Sequence, residues 1–340
     1  MKHALRPLAA AAAVPLSFGL AACGGGSGFD EDALVIYSGR QEALVADVID
    51  DFEAESGVDV QVRYGNTAQL AAQLIEEGER SPADVYFAQD GGALGALAKA
   101  GQLATLPDDV LGLVEEKYRS ADGDWVGVSG RARVMVYDPD QLSEDEVPGS
   151  VFDLTGPEWK GKVGIAPSNA SFEAFVTSIR VLEGEDKARE FLDGLAANDV
   201  QTFDNNILVL NAAEDGLISV GLINHYYWYE QVAEEGLDAV PARLKYLRNA
   251  DPGALVNVAG AGVLESTDKS AEAEQFVKYL LSKDAQTYFA EETKEYPLIE
   301  GVPTAEGVPP LDTLNPPEID LADLDTLEET LAMIQEAGLT

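Results

Sequence analysis

The chain predicts a two-lobed α/β fold, each lobe a mixed, mostly parallel sheet flanked by helices, with a hinged cleft between them. Its 340 residues are enough for two domains of ordinary size. Apolar residues make up 46% and charged ones 24%, the balance of a folded globular chain. Short β-rich runs alternate with helical periods twice, from Ala33 to Phe87 and again from about Phe152 to Asp251.

Residues 1–22 read as an export signal: Lys2 and Arg6 give a basic start, and Leu8 to Leu20 an apolar stretch too short to span a bilayer. The segment ends Leu20-Ala21-Ala22-Cys23, which resembles a bacterial lipobox. That resemblance implies cleavage before Cys23 and a diacylglyceryl group on its sulfur. Cys23 is the single cysteine, so no disulfide forms within the chain. The competing reading is an ordinary signal peptide followed by an incidental cysteine. Two acyl chains suffice for stable anchoring, and residues 23–32, with Gly24 to Gly28, form a flexible tether. The expected location is extracytoplasmic, on a lipid anchor at the cell membrane.

Net charge is −39, and loss of Lys2 and Arg6 with the signal takes it to −41. Such a surface repels nucleic-acid phosphates and gains nothing from anionic lipid headgroups, so nucleic-acid binding is excluded. It suits a saline extracellular medium.

The elements follow in order. Ala33 to Ser38 is a β-rich run broken by Gly39-Arg40. Leu44, Val45, Val48, Ile49 and Phe52 fall at helical spacing from Glu42 to Glu55, and Gly57 closes that helix. Val58 to Tyr64 alternates as a strand, Thr67 to Glu77 is a helix, and Ala83 to Phe87 is again strand-like. This βαβαβ unit begins a parallel sheet, whose ligand belongs beyond the carboxyl ends of the strands. Ser38-Gly39-Arg40-Gln41 and Ala88-Gln89-Asp90 therefore share one rim. Arg131 to Tyr137 is a strand expected to cross between lobes. Val163 to Pro167 leads through the turn Ser168-Asn169-Ala170-Ser171 into a helix from Phe172 to Leu182, whose N-terminal N–H groups suit an anion. A helix over Asp186 to Leu195, the Asn205-Asn206 loop and a strand ending at Asn224 complete the second lobe. Val256 to Val263 returns the chain to the first lobe, and a helix from Ala271 to Leu281 follows. The Pro-rich, acidic end closes with a helix from about Leu321 to Ala337. The expected boundaries are 33–130 plus 257–302 for lobe 1 and 131–256 plus 303–340 for lobe 2.

The stretch with the most chemistry is Asn224-His225-Tyr226-Tyr227-Trp228-Tyr229, where an apolar strand ends in two adjacent phenols. A phenol ionises near pH 10 in water, and a trivalent oxygen-seeking cation can displace its proton at lower pH. Tyr226 and Tyr227 are thus candidate ferric ligands; the competing reading is a pair of interface aromatics. Trp228 and Tyr229 are expected to pack beneath the site. Catalysis has little to stand on. Of the two histidines His3 lies in the signal, and there is no Gly-x-Ser-x-Gly elbow. With 61 acidic residues, carboxylate pairs arise by chance. Zinc-ligand spacing and an EF-hand loop are also missing from the sequence.

Over Ala33 to Val302 the chain resembles the solute-binding proteins of ferric-iron ABC importers. The motifs that carry this are Val35-Ile36-Tyr37-Ser38-Gly39-Arg40, Pro82-Ala83-Asp84-Val85-Tyr86-Phe87 and Ser129-Gly130-Arg131-Ala132-Arg133-Val134. Leu154-Thr155, Trp159-Lys160-Gly161-Lys162, Leu222 to Trp228 and Tyr296-Pro297-Leu298 also match, with Tyr226-Tyr227-Trp228 the most specific. The resemblance implies the periplasmic-binding-protein fold, with Tyr226 and Tyr227 binding Fe3+ as phenolates. Other family ligands are replaced here. Gln41 stands where many members have His, Glu42 where some have Tyr, Gln89 where several have Glu, and Ser171-Phe172 where some place a third Tyr.

An exogenous anion (carbonate, phosphate or citrate) is therefore expected to complete the iron's shell. The resemblance places it near Ser168, Asn169, Ala170, Asn206 and Asn224, with Gln41 and Gln89 as hydrogen-bonding amides and Arg40 as its neutralising cation. Arg40 in a local salt bridge is the alternative. The expected partners are an ABC permease and ferric ion with its small anion, the protein itself being a monomer. Two rival readings stay open: a binding protein for a polyamine, thiamine or a phosphonate-like solute, and an anchored enzyme acting on a saccharide.

Overall fold

The computed structural model describes residues 28–340; the expected signal, the Cys23 lipidation site and the first residues of the tether lie outside them. The first lobe opens with strand β1 (Leu34–Ser38), helix α1 (Glu42–Ser56), β2 (Val60–Tyr64), α2 (Thr67–Glu77), β3 (Val85–Ala88), α3 (Gly91–Lys99) and the short α4 (Asp108–Leu111). β4 (Val126–Tyr137) then runs into the second lobe, built from β5 (Val163–Ile165), α5 (Ala170–Glu183), α6 (Glu185–Ala197), β6 (Gln201–Thr202), α7 (Asn206–Glu214), β7 (Val220–Asn224), α8 (His225–Glu235) and β8 (Arg243–Lys245). β9 (Val256–Val263) returns to the first lobe with α9 (Ser270–Leu280), α10 (Lys283–Glu291) and β10 (Tyr296–Pro297), and α11 (Leu327–Glu336) ends the chain.

One mixed sheet runs through both lobes in the order β2-β1-β3-β9-β4-β7-β5-β6, with β8 and β10 also paired to β4. β1 pairs in parallel with β2 and β3, as the βαβαβ reading requires, and β5 pairs in parallel with β6 and β7. β9 lies antiparallel to β3, and β4 antiparallel to both β9 and β7. β4 changes lobes in mid-strand. Val126 to Ala132 pair with β9, whereas Arg133 to Tyr137 pair with β7. The crossings therefore sit at Ala132–Arg133 and Leu255–Val256, where the Arg133 N–H donates to the Leu255 carbonyl at 2.9 Å.

The helical period of α1 buries Val45, Val48, Ile49 and Phe52, and Gly57 ends it at φ 73° with its N–H on the Glu53 carbonyl. Phe52 meets Phe276 of α9 edge-on at 5.1 Å, within a core that runs under the whole first lobe. The second lobe has a core on each face of its sheet, one around Phe172, Phe175 and Phe191, the other around Val209, Ile223 and Trp228.

The C-terminal segment departs from expectation. Residues 303–340 do not all belong to the second lobe: Val308, Leu314, Leu321 and Leu324 join the first-lobe core, and only Met333, Ile334 and Leu339 join the second. A 3-10 turn, Leu321–Asp325, takes the place of the first part of the expected helix. It lies against α3 because Gly91, Gly92 and Gly95 have no Cβ. A Cβ on Gly91 would stand 2.8 Å from that of Leu321, and those on Gly92 and Gly95 would meet backbone. The segment straps the lobes together along one side.

Candidate metal and anion site

The tyrosine pair sits one element further on than expected: not at the tip of a strand but in the first turn of α8, which begins at His225 directly after β7. The run of aromatics hides the helical period. The rings of Tyr226 and Tyr227 lie 4.1 Å apart at 31°. Tyr226 is 2% exposed and Tyr227 half-buried. Burial pushes the Tyr226 phenol well above its ordinary value, Tyr227 beside it adds to this, and the Arg131 guanidinium opposes it. A buried phenol with no anionic form of its own at neutral pH needs a cation to ionise, and the positive end of α8 lies on the same side. The donor set fits a hard trivalent ion.

The neighbouring side chains pack, as expected. The Trp228 indole N–H donates to the Ala242 carbonyl at 2.8 Å and the Tyr229 hydroxyl to Gly307 at 3.0 Å. His225 is fully buried, its Nδ1 accepting the Ala132 N–H at 3.2 Å and its ring stacked on Tyr296 at 4.6 Å. Burial takes it down to about pH 3, so it is neutral and has no role as an exposed base.

The lobes enclose a crevice of about 20 Å³, room for about one water; Tyr226 and Tyr227 are not in its walls, but their charges act on Arg131 and Arg133, which are. Gln89 and Asp90 come from the end of β3, Arg131 and Arg133 from β4, and Ala170, Ser171 and Asn224 from the second lobe. Arg131 and Arg133 are 3% and 2% exposed, two residues apart and so on one face of β4. Arg133 donates to Ser171 Oγ at 3.0 Å and to the Leu222 carbonyl at 3.1 Å, and its Nε has no partner. Burial holds it down to about 9, partly offset by Tyr227. Arg131 donates to the Gln89 carbonyl; its pKa is lowered by burial and by Arg40, and raised again by Glu295, Tyr226 and Asp90.

The expected anion residues separate into two groups. Ala170 and Asn224 line the crevice with Gln89, and buried Asn206 stands one step behind, its Nδ2 donating to Ser171 Oγ at 3.1 Å while its Oδ1 is unpaired. Asn169 caps α5 instead: its Oδ1 accepts from Ser171 N at 3.0 Å and Ser171 Oγ at 2.7 Å. Ser168 and Gln41 are exposed and outside the crevice walls.

Arg40 is not placed to neutralise an anion there. It is 1% exposed and bonded to Glu295 at 2.8 Å, with Ser129 Oγ donating to the same carboxylate at 3.0 Å and Arg131 Nε 3.8 Å from its other oxygen. A charge already matched in a dry site has little left for a ligand. Arg131 and Arg133, not Arg40, line the crevice.

On the outer side of the crevice, Asp90 caps α3 by accepting the Ala93 N–H at 2.9 Å. Burial raises its carboxyl, with Arg131 and the cap hydrogen bonds opposing. Glu173 on α5 is pushed up to about 7 by burial and by Asp90's charge across the cleft. Two arginines at alternate positions in an otherwise apolar strand were the available sequence signal for Arg131 and Arg133. Glu173 and Glu295 carried none.

A two-lobed sheet with a polar crevice at the strand ends, walled by both lobes, defines a ligand-capturing protein of the hinged, cleft-binding class. The chain belongs to the bacterial extracellular solute-binding protein family, whose profile matches residues 80–323. It is 35% identical over 308 residues to the major ferric iron-binding protein of Neisseria meningitidis serogroup B, covering 90% of this chain and 93% of that one. It is 33% identical over 330 residues to the Fe(3+)-binding periplasmic protein of Serratia marcescens, covering 97% and 96%. The crystal structure of iron-bound HitA from Pseudomonas aeruginosa superimposes with a TM-score of 0.85 at 37% identity, over 90% of this chain and 99% of that one.

Proposed function

We propose that this protein is the extracytoplasmic solute-binding component of an ABC importer, capturing Fe3+ through the Tyr226 and Tyr227 phenolates and handing it to a membrane permease. The observation that carries this is the pair of adjoining phenols in the first turn of α8, whose charges act on the two buried guanidiniums of the interlobe crevice. The names of the Neisseria and Serratia relatives agree with an iron cargo. The buried, neutral His225 gives no support to an enzyme reading.

A small exogenous oxyanion completes the iron's shell, with Arg133, Arg131, Asn224 and Ala170 as its contacts. Buried Arg133 supports this: it meets no carboxylate and its Nε has no partner, and a buried cation stays costly until an anion meets it. Capture closes the lobes about the Ala132–Arg133 and Leu255–Val256 crossings, and the permease reopens them. Cys23 carries the lipid anchor, and the protein acts as a monomer. Fe3+ added as its nitrilotriacetate chelate should turn the protein coloured through phenolate-to-iron charge transfer, and Tyr226→Phe should abolish the colour. A colourless wild type sinks the reading. Equal affinity in anion-stripped buffer sinks the exogenous anion.

A further inference from the structure

We propose that Asp90 is the first-lobe oxygen donor to Fe3+, supplying the charged ligand that neutral Gln41 and Gln89 cannot. This rests on the ferric reading above. Asp90 is the one carboxylate in the crevice walls, and it follows directly on Gln89 at the end of β3. Its Oδ1 accepts the Ala93 N–H at 2.9 Å, which orients the carboxylate. It forms no salt bridge with Arg131 or Arg133, although both line the same crevice. Arg131, in the same crevice wall as Asp90, feels the charge of both Tyr226 and Asp90.

The charges agree with this placement. Two phenolates and one carboxylate balance a trivalent ion, and carboxylate oxygen is the side-chain donor that hard cations prefer. Arg133, which meets no carboxylate, then remains for the anion, so carboxylate and anion do not compete for one role. The donors also come from opposite lobes: the phenols belong to α8 of the second and Asp90 to β3–α3 of the first. The ion can therefore close the cleft by binding both. Without it, Asp90 faces the Glu173 carboxylate across the gap.

The test is Asp90→Asn, because asparagine caps a helix as well as aspartate and the fold is kept. Fe3+ is supplied as the nitrilotriacetate chelate, and both affinity and visible absorption are read. Affinity should fall by more than about a hundredfold, beyond the roughly 10–100-fold usual for losing one supporting group at a metal site. The variant should still colour, with its band moved to longer wavelength, since iron that has lost a carboxylate draws charge from phenolate more easily. Unchanged affinity, or weaker binding with an unmoved band, overturns the proposal, the second leaving Asp90 a positioning residue. Tyr226→Phe in parallel separates the readings: colour lost there but kept and shifted in Asp90→Asn supports both. A colourless wild type overturns both.

Discussion

Arg40 and Glu295, 255 residues apart in the chain, form an ion pair of 2.8 Å in which neither side chain is exposed to solvent. Arg131 flanks the same carboxylate from the crevice side, at 3.8 Å. One acid thus holds two buried guanidiniums where the first lobe meets the crossing strand. Thr293 Oγ1 and Ser129 Oγ donate to it as well, at 3.2 and 3.0 Å. Such a cluster costs desolvation to build and is much costlier to break on one side than to replace whole.

Removing that acid is accordingly expected to be severe. Glu295→Ala leaves Arg40 and Arg131 uncompensated and should lower unfolding free energy by about 3–5 kcal/mol. Denaturant melts of the apo protein give the number. A loss below about 1 kcal/mol would mean that water reaches these arginines.

Iron loading should release protons. The Tyr226 phenol is held well above its ordinary value by burial, so it is protonated in the apo protein throughout the neutral range. Binding Fe3+ as two phenolates then expels about two protons. Affinity for iron should climb as pH rises and fall as pH drops, the slope reporting the number of protons lost. Proton counting in weakly buffered titrations tests this, and a pH-independent affinity would argue against phenolate ligation.

Glu173 should make the apo protein less stable as pH rises. Its folded-state value is raised from 4.5 to about 7, by burial first and Asp90 second. The folded state therefore binds the proton more tightly than the unfolded chain does. The group costs nothing below about pH 4.5, and stability is progressively lost as pH rises through about 7. Glu173→Gln should gain roughly 1–2 kcal/mol at pH 8, after discounting for partial exposure, and little at pH 4. Thermal melts at the two pH values decide it; equal effects at both would remove Asp90 and burial as the cause.

Much of the frame was legible in the chain. Val256 to Val263 and Thr67 to Glu77 have the predicted bounds, since an apolar run and a helical period leave few alternatives. The tyrosine pair was visible too, because adjacent phenols after an apolar strand are a local signal. Their helix was not: α8 begins with five consecutive aromatic rings, His225 to Tyr229, and its burial is decided by packing against β4 and the second-lobe core. The C-terminal strap was misplaced for a similar reason, its position being set by glycines of α3 more than two hundred residues earlier.

Strand and helix periods and the paired phenols are properties of short stretches, and the order of residues was enough to read them. The partner of each charge was not such a property. Arg40 finds Glu295 only once the end of β1 and the segment before β10 meet, and Arg133 finds Ser171 only once β4 lies against the start of α5. In a dry interior a guanidinium's role depends on the nearest acid or anion, and that distance is set by folding.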